Sequence, residues 1–145
     1  MKYLILFLCL ISPLAYGEEI NWSKLLNSVA TIESSNNPNA YNERTGATGK
    51  YQITEICLKE FNEKSHYIAR FTMNNMYNEE LSRTVALWYL KRLKDHYKAP
   101  SIEAILAGYN RGPTYMRKHD WNIKMSPEET RNYVIKVMAI YKELK

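Results

Sequence analysis

The stretch ATIESSNNPNAYN, residues 30–42, holds one acidic side chain, Glu33, near the end of a predicted helix. On a helical wheel drawn at 100° per residue, Glu33 falls about 20° from the centre of an apolar face. That face is formed by Trp22, Leu25, Leu26, Val29, Ala30 and Ile32. The polar residues of this helix, Ser28 among them, fall on the side that is expected to face solvent. Partial burial and the partly negative helix C-terminus both raise a carboxyl pKa, toward values at which the group donates a proton near neutral pH. The wheel alone leaves two roles open: a general acid, or a structural ion pair with Arg or Lys across the core.

The elements that would position Glu33 are predicted to be helical throughout. No segment alternates with the period of two that is typical of strands, so we expect a small all-α domain. Asn78 is a predicted N-cap, and Ser126 is expected to cap the last helix, with Pro127 at its first position and Glu129 closing a capping box. The predicted helices cover about residues 21–34, 54–63, 78–97, 101–110 and 126 to the C-terminus. Loops are expected at residues 44–52 and 109–114.

Residues 1–17 have the pattern of a secretory signal peptide. Lys2 precedes an apolar run over residues 4–14, and Ala15-Tyr16-Gly17 supplies small residues before the expected cleavage site. The run is shorter than the roughly 20 residues of a membrane span. We therefore predict export, with residues 18–145 as one domain and no stable membrane insertion after cleavage; an uncleaved N-terminal anchor is the alternative.

Charge and composition argue against several other classes. The net charge of +5 fits an anionic partner, but the basic residues are scattered, and the densest cluster, residues 91–94, fits a solvated helix face. No nucleic-acid partner is therefore expected. Cys57 lies mid-helix beside Ile53, Ile56 and Phe61, which indicates a buried thiol and not a nucleophile. His119-Asp120 has no second ligand pair at useful spacing, so no metal or other cofactor is predicted.

Three motifs resemble the signature of soluble lytic transglycosylases, a family with the lysozyme-like fold. The first lies in residues 33–53 and reads Glu33-Ser34, Pro38, Ala40, Gly46-Ala47, Gly49 and Gln52-Ile53. The second, residues 105–113, is similar to the family's Ala-Tyr-Asn-x-Gly segment. The third, residues 129–137, matches its closing Glu-Thr-Arg-x-Tyr-Val helix. The sequence departs from the pattern at Lys50-Tyr51, where two apolar residues are usual, and at Gly108, where Ala is usual.

The resemblance implies a small lysozyme-like domain with a sugar-binding groove and peptidoglycan glycan strands as substrate. Members cleave the β-1,4 bond between N-acetylmuramic acid (MurNAc) and N-acetylglucosamine (GlcNAc). Glu33 would serve as the single acid and base, and the C6 hydroxyl of the muramic acid would close a 1,6-anhydro ring.

The same resemblance implies the residues that bind substrate. The amides of Gln52 and Asn110 match an acetamido group, which both donates and accepts hydrogen bonds. Tyr133 is expected to orient the catalytic acid or the N-acetyl oxygen, Tyr109 to line the groove and Ser34 to hydrogen-bond near the reacting sugar. Tyr109 and Tyr133 could instead be core aromatics.

Two alternative functions remain open on the sequence. A hydrolytic muramidase of the same fold would use water. A second carboxylate of the kind that ordinary glycosidases need could come from Glu43, Glu55 or another distant position. A catalytically idle wall-binding protein, part of a secretion or conjugation apparatus, is the other. The expected location is the periplasm or cell wall. There the protein could be a housekeeping enzyme, serve a secretion machine or come from a phage.

Overall fold

The structure, a computed structural model, describes residues 19–144, so the predicted signal peptide lies outside the described residues. Within that range the chain forms six α-helices, two short 3-10 helices and no strand, which confirms the predicted all-α class. None of these helices combines the length and the apolar character needed to cross a bilayer. The α-helices are α1 (Trp22–Ser34), α2 (Glu55–Lys64), α3 (Glu79–Asp95), α4 (Ile102–Arg111), α5 (Pro113–Lys118) and α6 (Glu128–Glu143), with 3-10 turns at Met73–Tyr77 and Ile123–Met125.

Polar side chains set the first residues of several helices. Asn78 Oδ1 accepts hydrogen bonds from the backbone N–H groups of Glu80 and Leu81, at 3.1 and 3.0 Å, which confirms the predicted cap of α3. Ser101 Oγ accepts from the N–H of Ala104 at 3.1 Å and begins α4 in the same way. These bonds satisfy N–H groups that have no partner inside the helix.

The predicted start of α6 is wrong by one residue. Pro127 is the N-cap residue and Glu128 the first helical one, and no side chain caps the helix. Ser126 is buried, and its hydroxyl donates to the sulfur of Met116 at 3.4 Å. Because Ser126 is committed to that contact, the expected capping box with Glu129 does not form.

The loop predicted at residues 109–114 is also mostly helical. α4 continues to Arg111, and α5 begins two residues later with Pro113 at its first position. Gly112 separates them with φ of 94°, a backbone conformation that L side chains rarely adopt. One glycine is therefore enough to redirect the chain between two helices, and a longer loop is not needed.

The core lies around α4, which packs against α3, α5 and α6, while α6 also packs against α1. Residues 104–108 of α4 are all buried. A Cβ at Gly108 would lie 2.9 Å from Leu93 Cδ2 and 3.1 Å from the ring of Trp121. The departure from the usual Ala at Gly108 therefore matches a close approach of α3 and Trp121 to α4.

Two side chains lie on the opposite side from that predicted. Ser28, expected to face solvent, is fully buried because its hydroxyl donates to the Lys24 carbonyl at 2.9 Å and needs no water. Ile56, expected to face the core, is 81% exposed. Leu58 and Phe61 fill the core side of α2 in its place.

Candidate active site

A cavity of about 310 Å³ opens where the end of α1 meets the end of α4 and the start of α6. Glu33 lines it from α1, and the loop before α2 forms a second wall. We call this space the Glu33 cavity. Its other lining residues are Asn42, Arg44, Thr45, Ala47, Gln52, Thr54, Tyr109, Asn110, Arg111, Pro127, Glu129 and Thr130.

The backbone ends α1 immediately after Glu33 and Ser34. Ser35 adopts the left-handed conformation, with φ of 53°, and its N–H still donates to the Thr31 carbonyl at 3.0 Å. Ser34 Oγ donates to the Lys50 carbonyl at 2.7 Å and so ties the helix end to the loop. This contact gives Ser34 a structural partner outside the cavity, and its contact with sugar stays a prediction.

The Glu33 carboxyl is perturbed mainly by its surroundings. Burial raises its pKa from 4.5 to about 7, and the neighbouring Tyr133 hydroxyl opposes that rise. Although part of the residue stays exposed in the cavity, desolvation dominates. Across residues 19–144 no Lys or Arg forms an ion pair with Glu33, so the structural pair left open by the wheel is not observed. At neutral pH the group can therefore hold a proton or release one.

Tyr133 reaches this carboxyl from α6. The residue is 8% exposed, and its hydroxyl has no partner in full hydrogen-bond geometry within residues 19–144. The hydroxyl nevertheless lies close enough to the Glu33 carboxyl to lower its pKa. Burial and the nearby Glu33 charge raise the pKa of Tyr133 well above its ordinary value. Tyr133 therefore keeps its proton and can donate, which suits the predicted orienting role.

Gln52 is held in the wall of the cavity by a tightly turned loop. Thr48 and Ile53 exchange backbone hydrogen bonds of 2.9 and 3.0 Å, and Gln52 has a positive φ of 49°. The side-chain Nε2 donates to the Gly49 carbonyl at 3.0 Å. Gly49 itself has φ of 79°, and a Cβ there would lie 2.0 Å from the Met76 carbonyl oxygen. The glycine is thus required by close backbone packing, and the turn then presents Gln52 to the cavity.

Tyr109 and Asn110 lie in the last turn of α4 and line the same cavity. The Tyr109 hydroxyl donates to the Tyr51 carbonyl at 2.7 Å, which joins α4 to the loop. Asn110 Oδ1 accepts from Thr130 Oγ1 at 2.9 Å, which fixes the orientation of the amide. Thr130 was not singled out from the sequence, and its position between Glu129 and Arg131 in the third motif was the only available signal.

A second cavity of about 680 Å³ extends this site. It shares Gln52, Thr54, Tyr109, Asn110 and Arg111 with the Glu33 cavity, so the two adjoin along one side of α4. The exposed Ile56 lies on its wall. We call the two cavities together the groove. Glu33 lines the smaller half of the groove, and the larger half adjoins it.

The two carboxyls named from the sequence as possible partners of Glu33 do not line the groove. Glu43 and Glu55 are exposed and line neither half of the groove. Glu129, predicted as a cap, lines the Glu33 cavity instead. Sequence reasoning missed this placement because the capping pattern gave Glu129 another role.

The second half of the groove has its own acid, Glu60. Its Oε1 accepts from Arg92 Nε at 2.6 Å and from the Tyr97 hydroxyl at 2.5 Å. Tyr97 lines the second cavity and Arg92 forms an ion pair with Glu60, so the charge of Glu60 is already matched. Glu60 is therefore not a second proton donor.

The other chemical candidates do not assemble a site. Cys57 is buried, and burial raises the pKa of its thiol, which disfavours the nucleophilic thiolate. His119 Nδ1 lies 2.9 Å from the Tyr115 carbonyl, and the His119 ring stacks on Tyr115. Between residues 19 and 144, no three His, Cys, Asp or Glu side chains are grouped so that they could hold a metal ion.

Comparison with known proteins identifies the domain. A model of the transglycosylase SLT domain family matches residues 15–132, which include Glu33, Gln52, Tyr109 and Asn110 and stop one residue before Tyr133. No curated protein matches the chain. The match confirms the resemblance to this family, and it covers the first two sequence motifs and residues 129–132 of the third.

Proposed function

The chain belongs to the transglycosylase SLT domain family of the lysozyme-like superfamily, and on that premise we propose that it is an exported peptidoglycan lytic transglycosylase. The family cleaves peptidoglycan. For this chain we propose cleavage of the β-1,4 bond between MurNAc and GlcNAc with formation of 1,6-anhydromuramic acid. Glu33 is the single general acid and base in this proposal.

The position and protonation of Glu33 carry the proposal. An ordinary surface Glu is ionised at neutral pH, whereas burial raises the Glu33 pKa to about 7. The group lies in a cavity of about 310 Å³ lined by amide and hydroxyl side chains. A carboxylic acid that keeps its proton, next to groups that suit sugar hydroxyls and acetamides, is what glycosidic-bond cleavage requires.

In the first step, Glu33 donates its proton to the oxygen that bridges the two sugars. The C1–O bond of the MurNAc breaks, and the GlcNAc leaves as an alcohol. The carbonyl oxygen of the substrate's own N-acetyl group attacks C1 and forms a cyclic oxazolinium ion. The protein therefore needs no carboxylate nucleophile for this step.

In the second step, the Glu33 carboxylate removes the proton from the C6 hydroxyl of the same sugar. The C6 oxygen attacks C1, the bond to the acetamide oxygen breaks, and the 1,6-anhydro ring closes. Glu33 is again protonated, and no water is consumed. A pKa of about 7 suits both steps because neither protonation state is strongly disfavoured.

The neighbouring side chains support these steps in the same proposal. Tyr133 donates toward Glu33 and favours the carboxylate that forms after the first proton transfer. Asn110 is held by Thr130, so its amide can orient the acetamide at low entropic cost. Gln52 and Tyr109 line both halves of the groove.

A hydrolytic muramidase is the second candidate, and the position of Glu129 favours it. Glu129 lines the Glu33 cavity, so two carboxyls share one space. Hydrolases that invert configuration place a second carboxylate opposite the acid to activate water. In that case Glu129 would act as the base and the product would be a reducing MurNAc.

The wider setting follows from the substrate. Peptidoglycan lies outside the cytoplasmic membrane, and residues 1–17 have the pattern of a signal peptide. We propose a periplasmic or cell-wall location, where the chain could serve a secretion or conjugation apparatus. N-terminal sequencing of the exported protein tests this, since cleavage after Gly17 is expected and an intact Met1 would contradict it.

Product analysis tests the activity. The secreted chain is incubated with purified peptidoglycan, and the soluble products are weighed by mass spectrometry. Anhydro-muropeptides are expected, each lighter by one water than the hydrolytic product. The variant Glu33→Gln should release none, while Glu43→Gln, which changes an exposed loop carboxyl, should match the wild type.

Other outcomes would each exclude a reading. If the wild type releases muropeptides with reducing ends and Glu129→Gln releases none, the protein is a hydrolytic muramidase and not a transglycosylase. Undiminished release by Glu33→Gln would exclude Glu33 as the acid. Binding to peptidoglycan without any release by the wild type would favour the idle wall-binding protein.

A further inference from the structure

Three basic side chains line the groove, although the substrate contacts proposed above involve only neutral groups and one acid. Arg44 lines the Glu33 cavity, Lys118 lines the second cavity, and Arg111 lines both. In the part of the chain between residues 19 and 144, none of the three forms an ion pair. Basic groups in a concave site without acidic partners attract an anionic part of the ligand.

Arg111 is the best placed of the three. It lies at the end of α4, where the two halves of the groove adjoin, and directly follows Asn110. Its guanidinium lies 4.7 Å from the centre of the Tyr115 ring. Tyr115 is in turn fixed, because its hydroxyl donates to the Met125 carbonyl at 3.1 Å. A guanidinium stacked on a fixed ring keeps its N–H groups free at the edge and loses little entropy on binding.

The acids of the groove do not cancel this charge. Glu60, in the second half, already pairs with Arg92 at 2.6 Å. Glu33 has a pKa of about 7 and is partly neutral at physiological pH. Glu129 is the remaining acid of the Glu33 cavity, and it pairs with no basic residue among those the structure describes. Three basic groups therefore face one unmatched carboxylate and the partly ionised Glu33.

We propose that Arg111 binds a carboxylate of the substituent carried on the muramic acid, and so makes the enzyme select strands with that charge. This inference rests on the proposed function, because it takes peptidoglycan as the ligand. GlcNAc is neutral, whereas muramic acid carries a lactyl ether that ends either in a free carboxylate or in a stem peptide with carboxylates. A planar guanidinium matches a carboxylate with two parallel hydrogen bonds, which a neutral sugar cannot offer.

The position of Arg111 agrees with the direction of the chemistry. Asn110 and Glu33 line the cavity in which the muramic acid reacts, and Arg111 lies at the boundary with the larger second half. A substituent on the reacting sugar can extend into this open space of about 680 Å³. Arg111 would then hold the substituent while Glu33 acts on the oxygen that bridges the two sugars.

The experiment compares three forms of one glycan-strand preparation. The first carries stem peptides with acetylated amines and free carboxylates. The second has had its stem peptides removed by an amidase, which leaves only the lactyl carboxylate. The third is the first after its carboxyls have been converted to methylamides with carbodiimide. Initial rates of cleavage at low substrate concentration give kcat/KM for the wild type, Arg111→Gln, Arg111→Lys and Arg117→Gln.

Arg111→Gln should lower kcat/KM at least about tenfold on strands with carboxylates, through a higher KM, and should leave the methylamide strands unchanged. If kcat/KM of Arg111→Gln falls on the first form alone, Arg111 binds a carboxylate of the stem peptide. If it falls on the second form, Arg111 binds the carboxylate of the lactyl group. Arg111→Lys should recover part of the loss, since it keeps charge without the planar fork. Arg117 is exposed on α5 and lines neither cavity, so Arg117→Gln controls for net charge.

Equal losses on all three forms, or no loss on any, would overturn the carboxylate site while leaving the transglycosylase intact. If the wild type cleaves nothing, the proposed function fails separately. The site is then tested by fluorescence anisotropy with a labelled disaccharide–tetrapeptide and its methylamide. The wild type should bind the carboxylate form at least about tenfold more tightly, and Arg111→Gln should lose that preference. Equal binding of both probes would refute the proposal.

Discussion

Replacing Glu33 with glutamine should stabilise the protein while it removes activity, and the gain should depend on pH. Burial raises the pKa of Glu33 to about 7 from an ordinary 4.5. Between these values the folded protein holds a proton that the unfolded chain has lost. The unfolded state thus binds fewer protons, so the free energy of unfolding falls as pH rises through this range.

The size of the effect follows from the shift. A difference of about 2.5 units between the folded and unfolded pKa corresponds to about 3 kcal/mol. Little of this cost is present below pH 4.5, and nearly all of it is present at pH 8. Glutamine has the same shape and no charge to desolvate. The Glu33→Gln variant should therefore match the wild type near pH 4 and exceed its stability by up to about 3 kcal/mol at pH 8.

Urea unfolding followed by circular dichroism at pH 4, 6 and 8 measures the difference, provided that each transition is two-state. The matched control is Glu43→Gln, which removes one exposed carboxyl from the loop beside the site. Its stability relative to the wild type should change little over the same pH range. Both variants lose one carboxyl group, so the difference in unfolding free energy between them reports the burial of Glu33 and not the change in net charge.

Two results would refute the reasoning. A stability gap between Glu33→Gln and the wild type that stays constant from pH 4 to pH 8 would mean that the Glu33 pKa is not raised. A gap that opens equally for Glu43→Gln would assign the effect to overall charge. In either case the argument from burial to a proton donor near neutral pH would fail.

Two further predictions concern the environment of the acid and the loop that forms the cavity wall. The value of kcat/KM should fall above a pH of about 7 as Glu33 loses its proton. Because the Tyr133 hydroxyl lowers the Glu33 pKa, Tyr133→Phe should move this fall in kcat/KM to higher pH. A pH–rate profile on soluble glycan strands measures both effects, and a shift to lower pH in the variant would contradict the role given to Tyr133. Gly49→Ala should destabilise the fold by roughly 3 kcal/mol or more, since its Cβ would lie 2.0 Å from the Met76 carbonyl oxygen, whereas Gly46→Ala, with φ of 70° but open space, should cost only about 1 kcal/mol in the same urea assay.

The sequence was sufficient where local pattern decides structure. The wheel placed Glu33 among apolar side chains, and in the structure burial is the main cause of its raised pKa. The helix periods gave five of the six α-helices with bounds close to those observed. In these segments the hydrophobic period and helix propensity favour the same conformation, so tertiary contacts change the helix bounds little.

One error occurred where a contact with another element overrides the local pattern, and another where a side chain forms a hydrogen bond within its own helix. Ser126 has the spacing of a cap, but its hydroxyl binds the sulfur of Met116, ten residues earlier. Ser28 is polar yet buried, because the Lys24 carbonyl accepts its hydrogen. A serine hydroxyl can cap a helix, bond to a carbonyl of its own helix or bond to another element. Sequence spacing does not distinguish these three arrangements.

The site shows the same limit in a form that matters for mechanism. Motif similarity identified Asn110, but the hydroxyl that fixes its amide belongs to Thr130, and this pairing exists only because α4 packs against α6. The same packing brings Glu129 into the Glu33 cavity and so creates the choice between sugar hydroxyl and water as nucleophile. Whether one or two carboxyls act is therefore decided by how two helix ends meet. For that reason the paired substitutions Glu33→Gln and Glu129→Gln discriminate the two reactions where the motifs alone do not.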